Sequence, residues 1–251
     1  RNGERLSAFE LNPSFSQFKF SPDGALGVAF ISADEGISVS GALNLTEVAL
    51  IALETGAVDH VSVGFAATEV LFDEVEWVDS LDRTRIGSRA AVLSQSQVAI
   101  VDLTAEPPAL SVVFPLTLDY DQEVDPTGAA LTADGKYLVI GTVNTADLYV
   151  LDLEDENINM VSLDNTPSDL VIDATADQTA IVYADEARVD VMDHDVFDVI
   201  SIDLDEPCNK IVDTDAGFSV LYNDASGTHD VYRLDYETSD AIEYVLQNPV
   251  S

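Results

Sequence analysis

The turn Thr132-Ala133-Asp134-Gly135, the run Tyr137-Leu138-Val139-Ile140 and the alternating strand Leu148-Tyr149-Val150-Leu151-Asp152-Leu153 form, with Ile158-Asn159-Met160-Val161-Ser162-Leu163, the stretch that decides the fold. Glycine accepts a positive φ and aspartate bonds its own backbone, so Asp-Gly between two apolar runs marks a hairpin. Working outward, the same turn recurs at Ser21-Pro22-Asp23-Gly24, Thr175-Ala176-Asp177-Gln178 and Thr214-Asp215-Ala216-Gly217. The strand closing on Asp-Leu recurs as Val48 to Leu53, Val98 to Leu103, Val189 to His194 and Val231 to Tyr236. Aligned on Ala52, Asp102, Asp152, Asp193 and Asp235, the copies are spaced by 50, 50, 41 and 42 residues. A proline precedes the turn at Pro13, Pro167 and Pro207, where a strand begins and no ladder donor is needed.

Each unit thus holds four short strands, and no segment keeps a helical period over a dozen residues. Four-stranded units at this interval are the signature of an all-β, β-propeller fold with four-stranded antiparallel blades. A β-sandwich would not require the third strand to close on the same dipeptide each time. The repeats are read as 13–64, 65–123, 124–166, 167–206 and 207–248, five blades in all. Residues 1–12 carry an outer strand, Arg5 to Leu11, of a preceding or closing blade, and 249–251 start a further repeat or a tail. The second unit lacks a clean Asp-Gly turn and offers Leu81-Asp82-Arg83-Thr84-Arg85-Ile86-Gly87 in its place.

The Ser-Pro-Asp-Gly turn, the apolar strand, the strand closing on Asp-Leu and the Pro-led strand together resemble the YVTN-type repeats of bacterial and archaeal surface-layer and lactonase-like propellers, relatives of the WD-repeat architecture. The likeness covers roughly residues 13 to 248 and is strongest from Thr132 to Val171. It implies architecture more than activity. In that family a ring has six to eight blades, so the ends predict part of a longer propeller or an arc that closes imperfectly. Lactonase-like propellers gather carboxylate, Asn or His residues at a central channel from several blades, which spacing in one sequence does not reveal.

The chain carries 47 Asp and Glu against 10 Lys and Arg, a formal net charge of −37, yet 47% of its 251 residues are hydrophobic, enough for a large core. Such a charge excludes nucleic acid and anionic membrane as partners, because phosphate binding needs clustered cations. No run approaches the length of a membrane-spanning helix, so no membrane insertion is expected. With Cys208 alone, an internal disulfide and a Cys-based zinc site are excluded. A field of hydrated carboxylates is relieved by salt, which fits a saline or calcium-rich setting, and the start at Arg1 without Met fits a processed, exported product or a piece of a longer chain. The expected location is extracellular, cell-surface or periplasmic.

Candidate sites are few. Three of the seven arginines, Arg83, Arg85 and Arg89, fall within seven residues of one another, beside the single tryptophan, Trp77. They either pair with neighbouring carboxylates or anchor an acidic group, Trp and Arg being the residues most enriched at binding hot spots. Asp119, Asp121 and Asp125 set carboxylates at alternate positions as calcium loops do, but the segment lacks the Gly and distal Glu of an EF-hand. A solvated loop is favoured there, and no cofactor is expected, calcium being the one candidate. His60, His194 and His229 are isolated in three different units, and Cys208 reads as a small core residue on an inner strand. No Gly-x-Ser-x-Gly elbow, phosphate loop or His-Glu-x-x-His is present. The favoured function is a non-enzymatic binding or cell-surface scaffold module of an exported acidic protein. The alternative is a lactonase-like hydrolase with a divalent ion in its central channel, and a dehydrogenase propeller ranks below both for want of a haem-attachment motif.

Overall fold

The computed structural model describes residues 15–32, 46–117, 124, 126–143, 145–173, 178–214, 218–223, 230–236, 238 and 240–245. Among them every regular element is a strand. Arg1–Glu123 and Val124–Ser251 form two compact units.

In the first unit, β1 (Gln17–Phe20), β2 (Leu26–Phe30), β3 (Glu47–Ala52) and β4 (Val58–Ser62) make one antiparallel sheet in chain order. Its neighbour starts with β5 (Glu69–Phe72) and is interrupted by a separate hairpin, β6 (Glu76–Val78) and β7 (Thr84–Ile86). It resumes with β8 (Arg89–Leu93), β9 (Gln97–Asp102) and β10 (Ala109–Pro115). The second unit holds three more such sheets. They are β11 (Pro126–Leu131), β12 (Tyr137–Thr142), β13 (Asp147–Asp152) and β14 (Asn157–Ser162); then β15 (Asp169–Asp173), β16 (Gln178–Val182), β17 (Arg188–Asp193) and β18 (Val199–Asp203); then β19 (Lys210–Thr214), β20 (Phe218–Tyr222), β21 (Asp230–Asp235) and β22 (Asp240–Val245). Ala52, Asp102, Asp152, Asp193 and Asp235 are each the last residue of their sheet's third strand.

Local chemistry explains the repeat. In the β1–β2 turn the Asp23 Oδ1 accepts the Ala25 N–H at 2.9 Å, and the Gly24 N–H closes on the Ser21 carbonyl at 2.8 Å with φ +66°. The β11–β12 turn is built alike, Asp134 accepting from Lys136 at 2.9 Å and Gly135 bonding Thr132 at 2.8 Å. Both glycines occupy the left-handed region, which costs a residue without Cβ least. Each aspartate that ends a third strand accepts a backbone N–H two or three residues on: Thr104 on Asp102 at 2.8 Å, Glu154 on Asp152 at 3.0 Å, Asp195 on Asp193 at 2.8 Å and Thr238 on Asp235 at 3.3 Å. These Asx turns start the bend into the fourth strand. Ala52 has no carboxylate, and its turn keeps only the bond from the Gly56 N–H to the Ala52 carbonyl at 2.7 Å, which the Asp193 turn has in addition to its Asx bond, from Phe197 at 2.8 Å.

Alternation puts successive side chains on opposite faces, so a sheet packed on both sides reads as a continuous apolar run. In the second unit, Val171, Ala180 and Val191 face Ile211, Leu221 and Tyr232 of the next sheet, while Leu170, Ile181 and Met192 face Val139, Leu148 and Val150 of the previous one. In the first unit, Val28, Val48 and Leu50 meet Val70, Ala90, Val92 and Val101 across the two sheets. In the second unit the first strands run side by side, and Asp169 of β15 accepts the Ile211 N–H of β19 at 3.4 Å with the Lys210 ammonium 3.5 Å away.

Three sequence readings change. Leu81 to Gly87 is not the turn between the first two strands of the second sheet; it is the turn and return strand of the inserted β6–β7 hairpin. A hairpin inserted into a strand connection carries the same turn residues as the connection itself. Cys208 is buried in the core as expected but lies ahead of β19 rather than on it. Pro126, passed over in the sequence, opens β11 as Pro167 and Pro207 precede their strands. Pro13, the strand at Arg5 to Leu11, His229, Asp119, Asp121 and Asp125 lie outside the described residues.

Candidate functional site

The inserted hairpin is fixed at its base by Asp73. This wholly buried carboxylate accepts the Ser88 N–H at 2.6 Å, the Ser88 hydroxyl at 2.7 Å and the Arg89 N–H at 3.3 Å, so the chain leaves the sheet after β5 and re-enters it at β8. Gly87, at φ +100°, turns the chain there, and a Cβ on it would sit 3.4 Å from Pro22. The indole N–H of Trp77 donates to the Gly87 carbonyl at 2.9 Å, holding the ring against the hairpin.

At the tip, Asp79 gathers four donors. Its Oδ1 accepts the N–H groups of Leu81 and Arg83 at 2.9 and 3.0 Å, and its Oδ2 accepts the Nε–H of Arg83 and Arg85 at 2.7 and 3.0 Å. Desolvation pushes the Asp79 carboxyl upward, but these hydrogen bonds outweigh it and hold the pKa at about 2. Both arginines also reach Glu54 in the β3–β4 turn, through Arg83 Nη1 and, at 3.4 Å, Arg85 Nη2. Asp23 of the β1–β2 turn accepts the Ile86 N–H at 3.2 Å. Burial raises the Asp23 pKa, and its bonds from Ser21, Ala25 and Ile86 more than offset that, leaving it below the ordinary value.

Trp77 pairs directly with Arg85 across the hairpin, so Trp77, Asp79, Arg83 and Arg85 share one face. That face walls a cavity of about 390 Å³ between the two sheets of the first unit. Leu26, Leu50, Ala52, Leu103 and Pro107 give it an apolar lining, and its polar residues include Asp23, Asp59, Asp79, Arg83 and Arg85. The structure therefore brings together Trp77, Arg83 and Arg85 of the sequence candidates. Arg89 is separate: it opens β8 opposite Asp102 and lines a smaller cavity of about 200 Å³ with Ser88, Thr104 and Ser111. Asp79 completes the wall, while Asp73 and Glu54 hold the hairpin and its arginines from outside the cavity lining. Asp79 stands two residues from Trp77 in the chain, whereas no local signal marks Glu54, 29 residues away from Arg83.

A second ion-pair cluster, built around the single Arg188, lies in the second unit. Arg188 is within 3.0 Å of Glu186, 3.3 Å of Asp164 and 3.5 Å of Asp190, with its guanidinium 4.7 Å from the Tyr183 ring centre. The Tyr183 hydroxyl donates to Asp190 at 2.6 Å, and burial together with that carboxylate pushes the phenol well above its ordinary pKa. Among the histidines, His194 is buried with Nε2 2.8 Å from the Thr179 hydroxyl, and His60 lies 3.8 Å from Glu47. Among the described residues, no three His, Cys, Asp or Glu side chains are grouped so as to hold a metal ion.

No family model matches the sequence, and no curated protein matches it. Solved structures do. The chain is similar to the hydrazine synthase of Kuenenia stuttgartiensis, with a TM-score of 0.51 and 18% identity over 64% of this chain and 47% of that one. It is similar to the dihydro-heme d1 dehydrogenase NirN in complex with DHE, with a TM-score of 0.60 and 15% identity over 94% of this chain and 47% of that one. A streptogramin B lyase gives a TM-score of 0.58 at 12% identity over 96% of this chain and 72% of that one. The chain spans about half the length of the first two. With its four-stranded antiparallel sheets, this likeness shows a β-propeller fold.

Proposed function

We propose that this chain is a non-enzymatic binding module, a propeller of the YVTN and lactonase-like kind, that takes a small molecule with an apolar body between the first two sheets. The observation that carries this reading is the cavity of about 390 Å³ walled by the inserted hairpin. Its size falls in the range of about 300–1,000 Å³ usual for small-molecule sites, and its apolar lining with a few polar groups is their usual composition. Two acids of the lining are committed to the fold: Asp23 accepts from Ser21 at 2.6 Å, and Asp79 holds the hairpin turn. That arrangement suits binding better than bond cleavage. The net charge of −37 supports an exported protein working at or outside the cell surface, with no nucleic acid as partner.

Trp77, the chain's single tryptophan, reports on the cavity directly. Octanamide is expected to shift its emission saturably and to raise the melting temperature, since a ligand bound only by the folded state stabilises it. Ala105→Phe, which fills the cavity from the β9–β10 loop, is expected to abolish both effects while leaving the unliganded melting temperature in place. No saturable response to octanamide, octanoate or octylamine would sink the reading.

A further inference from the structure

We infer that Arg83 and Arg85 form a seat for a ligand carboxylate, and that Glu54 is an internal occupant which the ligand displaces. This rests on the cavity being a small-molecule site and names the class it takes: a small carboxylic acid with an apolar body.

The two acids that the arginines touch are not equivalent. Asp79 is 9% exposed and also holds the backbone of the hairpin turn, so it cannot leave without opening the hairpin. Glu54 is 64% exposed and meets only the outer nitrogens, Arg83 Nη1 and Arg85 Nη2, through a single oxygen, Oε2. Both guanidinium groups are oriented by their Nε–H bonds to Asp79, and both aim their outer nitrogens at one point. Two preset forks converging on one carboxylate oxygen make a recognition site for that group. An exposed ion pair contributes little, because water and side-chain freedom compensate for its loss. Glu54 is therefore the replaceable partner.

Trp77 stands opposite Arg85 on the same face, so a ligand whose carboxylate meets the arginines lays its apolar part along the indole. The overall charge of −37 does not forbid an anion here. The ligand's carboxylate takes the place of Glu54, whose own charge swings into water, and the count of acids against the two arginines is unchanged. The remaining repulsion is long-range and is screened by salt.

The test titrates the full chain with octanoate and with octanamide, its neutral counterpart, following Trp77 emission at fixed ionic strength. Emptying the seat with Glu54→Ala is expected to strengthen octanoate binding about tenfold and to leave octanamide unchanged. Arg85→Gln is expected to remove the preference for octanoate. If both probes bind equally and Glu54→Ala changes neither, or if it weakens octanoate, the carboxylate seat is overturned while the cavity reading survives. If neither probe perturbs Trp77, both fall. Glu54→Ala alters an exposed turn residue, and an unchanged melting curve separates its effect from misfolding.

Discussion

The two ion-pair clusters use the same ingredients in different ways. Around Arg188, the carboxylate of Asp190 is 3% exposed and is shared with the Tyr183 hydroxyl, whose ring stacks under the guanidinium. Around Arg83 and Arg85, one acid is part of the fold and the other stands in solvent. Each cluster also has an acid in solvent, Asp164 on Arg188 and Glu54 on the pair, but Arg188 alone meets three acids whereas two guanidinium groups meet the one exposed Glu54, so only the pair keeps positive charge for a ligand when its exposed acid leaves. The difference lies in how many acids share each guanidinium group rather than in whether one of them is exposed.

Removing the buried acid breaks this contrast most sharply. Asp190→Ala strands the buried Tyr183 hydroxyl and removes one of the three acids around Arg188, and is expected to cost about 2–3 kcal/mol in urea unfolding. The contrast fails if Asp190→Ala costs no more than Glu54→Ala, an exposed pair worth about 0–1 kcal/mol. Next in size is the base of the hairpin. Asp73→Ala strands the Ser88 and Arg89 donors and is expected to cost about 1–3 kcal/mol, with a red-shifted Trp77 emission as the hairpin loosens. An unshifted Trp77 would show that Asp73 does not hold the hairpin.

The smallest effect is a pH dependence. The Asp79 pKa is depressed from 3.8 to about 2, so the stability it gives the hairpin is complete above 3.8 and is lost as the pH falls through about 2. Wild-type protein should therefore show an acid change in Trp77 emission in that window that Asp79→Asn lacks. Matching curves for the two would remove Asp79 from the account.

The repeat was legible because its causes are local. Asp23-Gly24, Asp134-Gly135 and the aspartates ending the third strands each act within three residues of themselves, so the pattern survives in the sequence. The likeness to solved propellers agrees with it at identities of 12–18%. Trp77, Arg83 and Arg85 stood out for the same reason, as rare residues close together. Glu54 and Asp73 did not, because their partners are supplied by other strands, 29 and 15 residues away. Turn chemistry is identical in the inserted hairpin and in a turn within a blade, so Leu81 to Gly87 reads alike for both. The pairing of β5 with β8, tied at its end by Ser88 to Asp73, shows that the sheet pauses at β5 and resumes at β8.

The Asx turns that close the third strands have an evolutionary consequence. At Asp102, Asp193 and Asp235 the carboxylate is at once a partly exposed charge and the acceptor that bends the chain, whereas at Asp152 the acceptor is buried. Asparagine keeps the acceptor and gives up the charge, whereas glutamate keeps the charge but its longer side chain misses the N–H two residues on. Mutational drift at these sites is thus steered toward asparagine and away from glutamate. A lineage leaving its acidic habit would neutralise these positions without rebuilding a single turn, while acidity that drifts freely between the two acids must reside elsewhere on the surface.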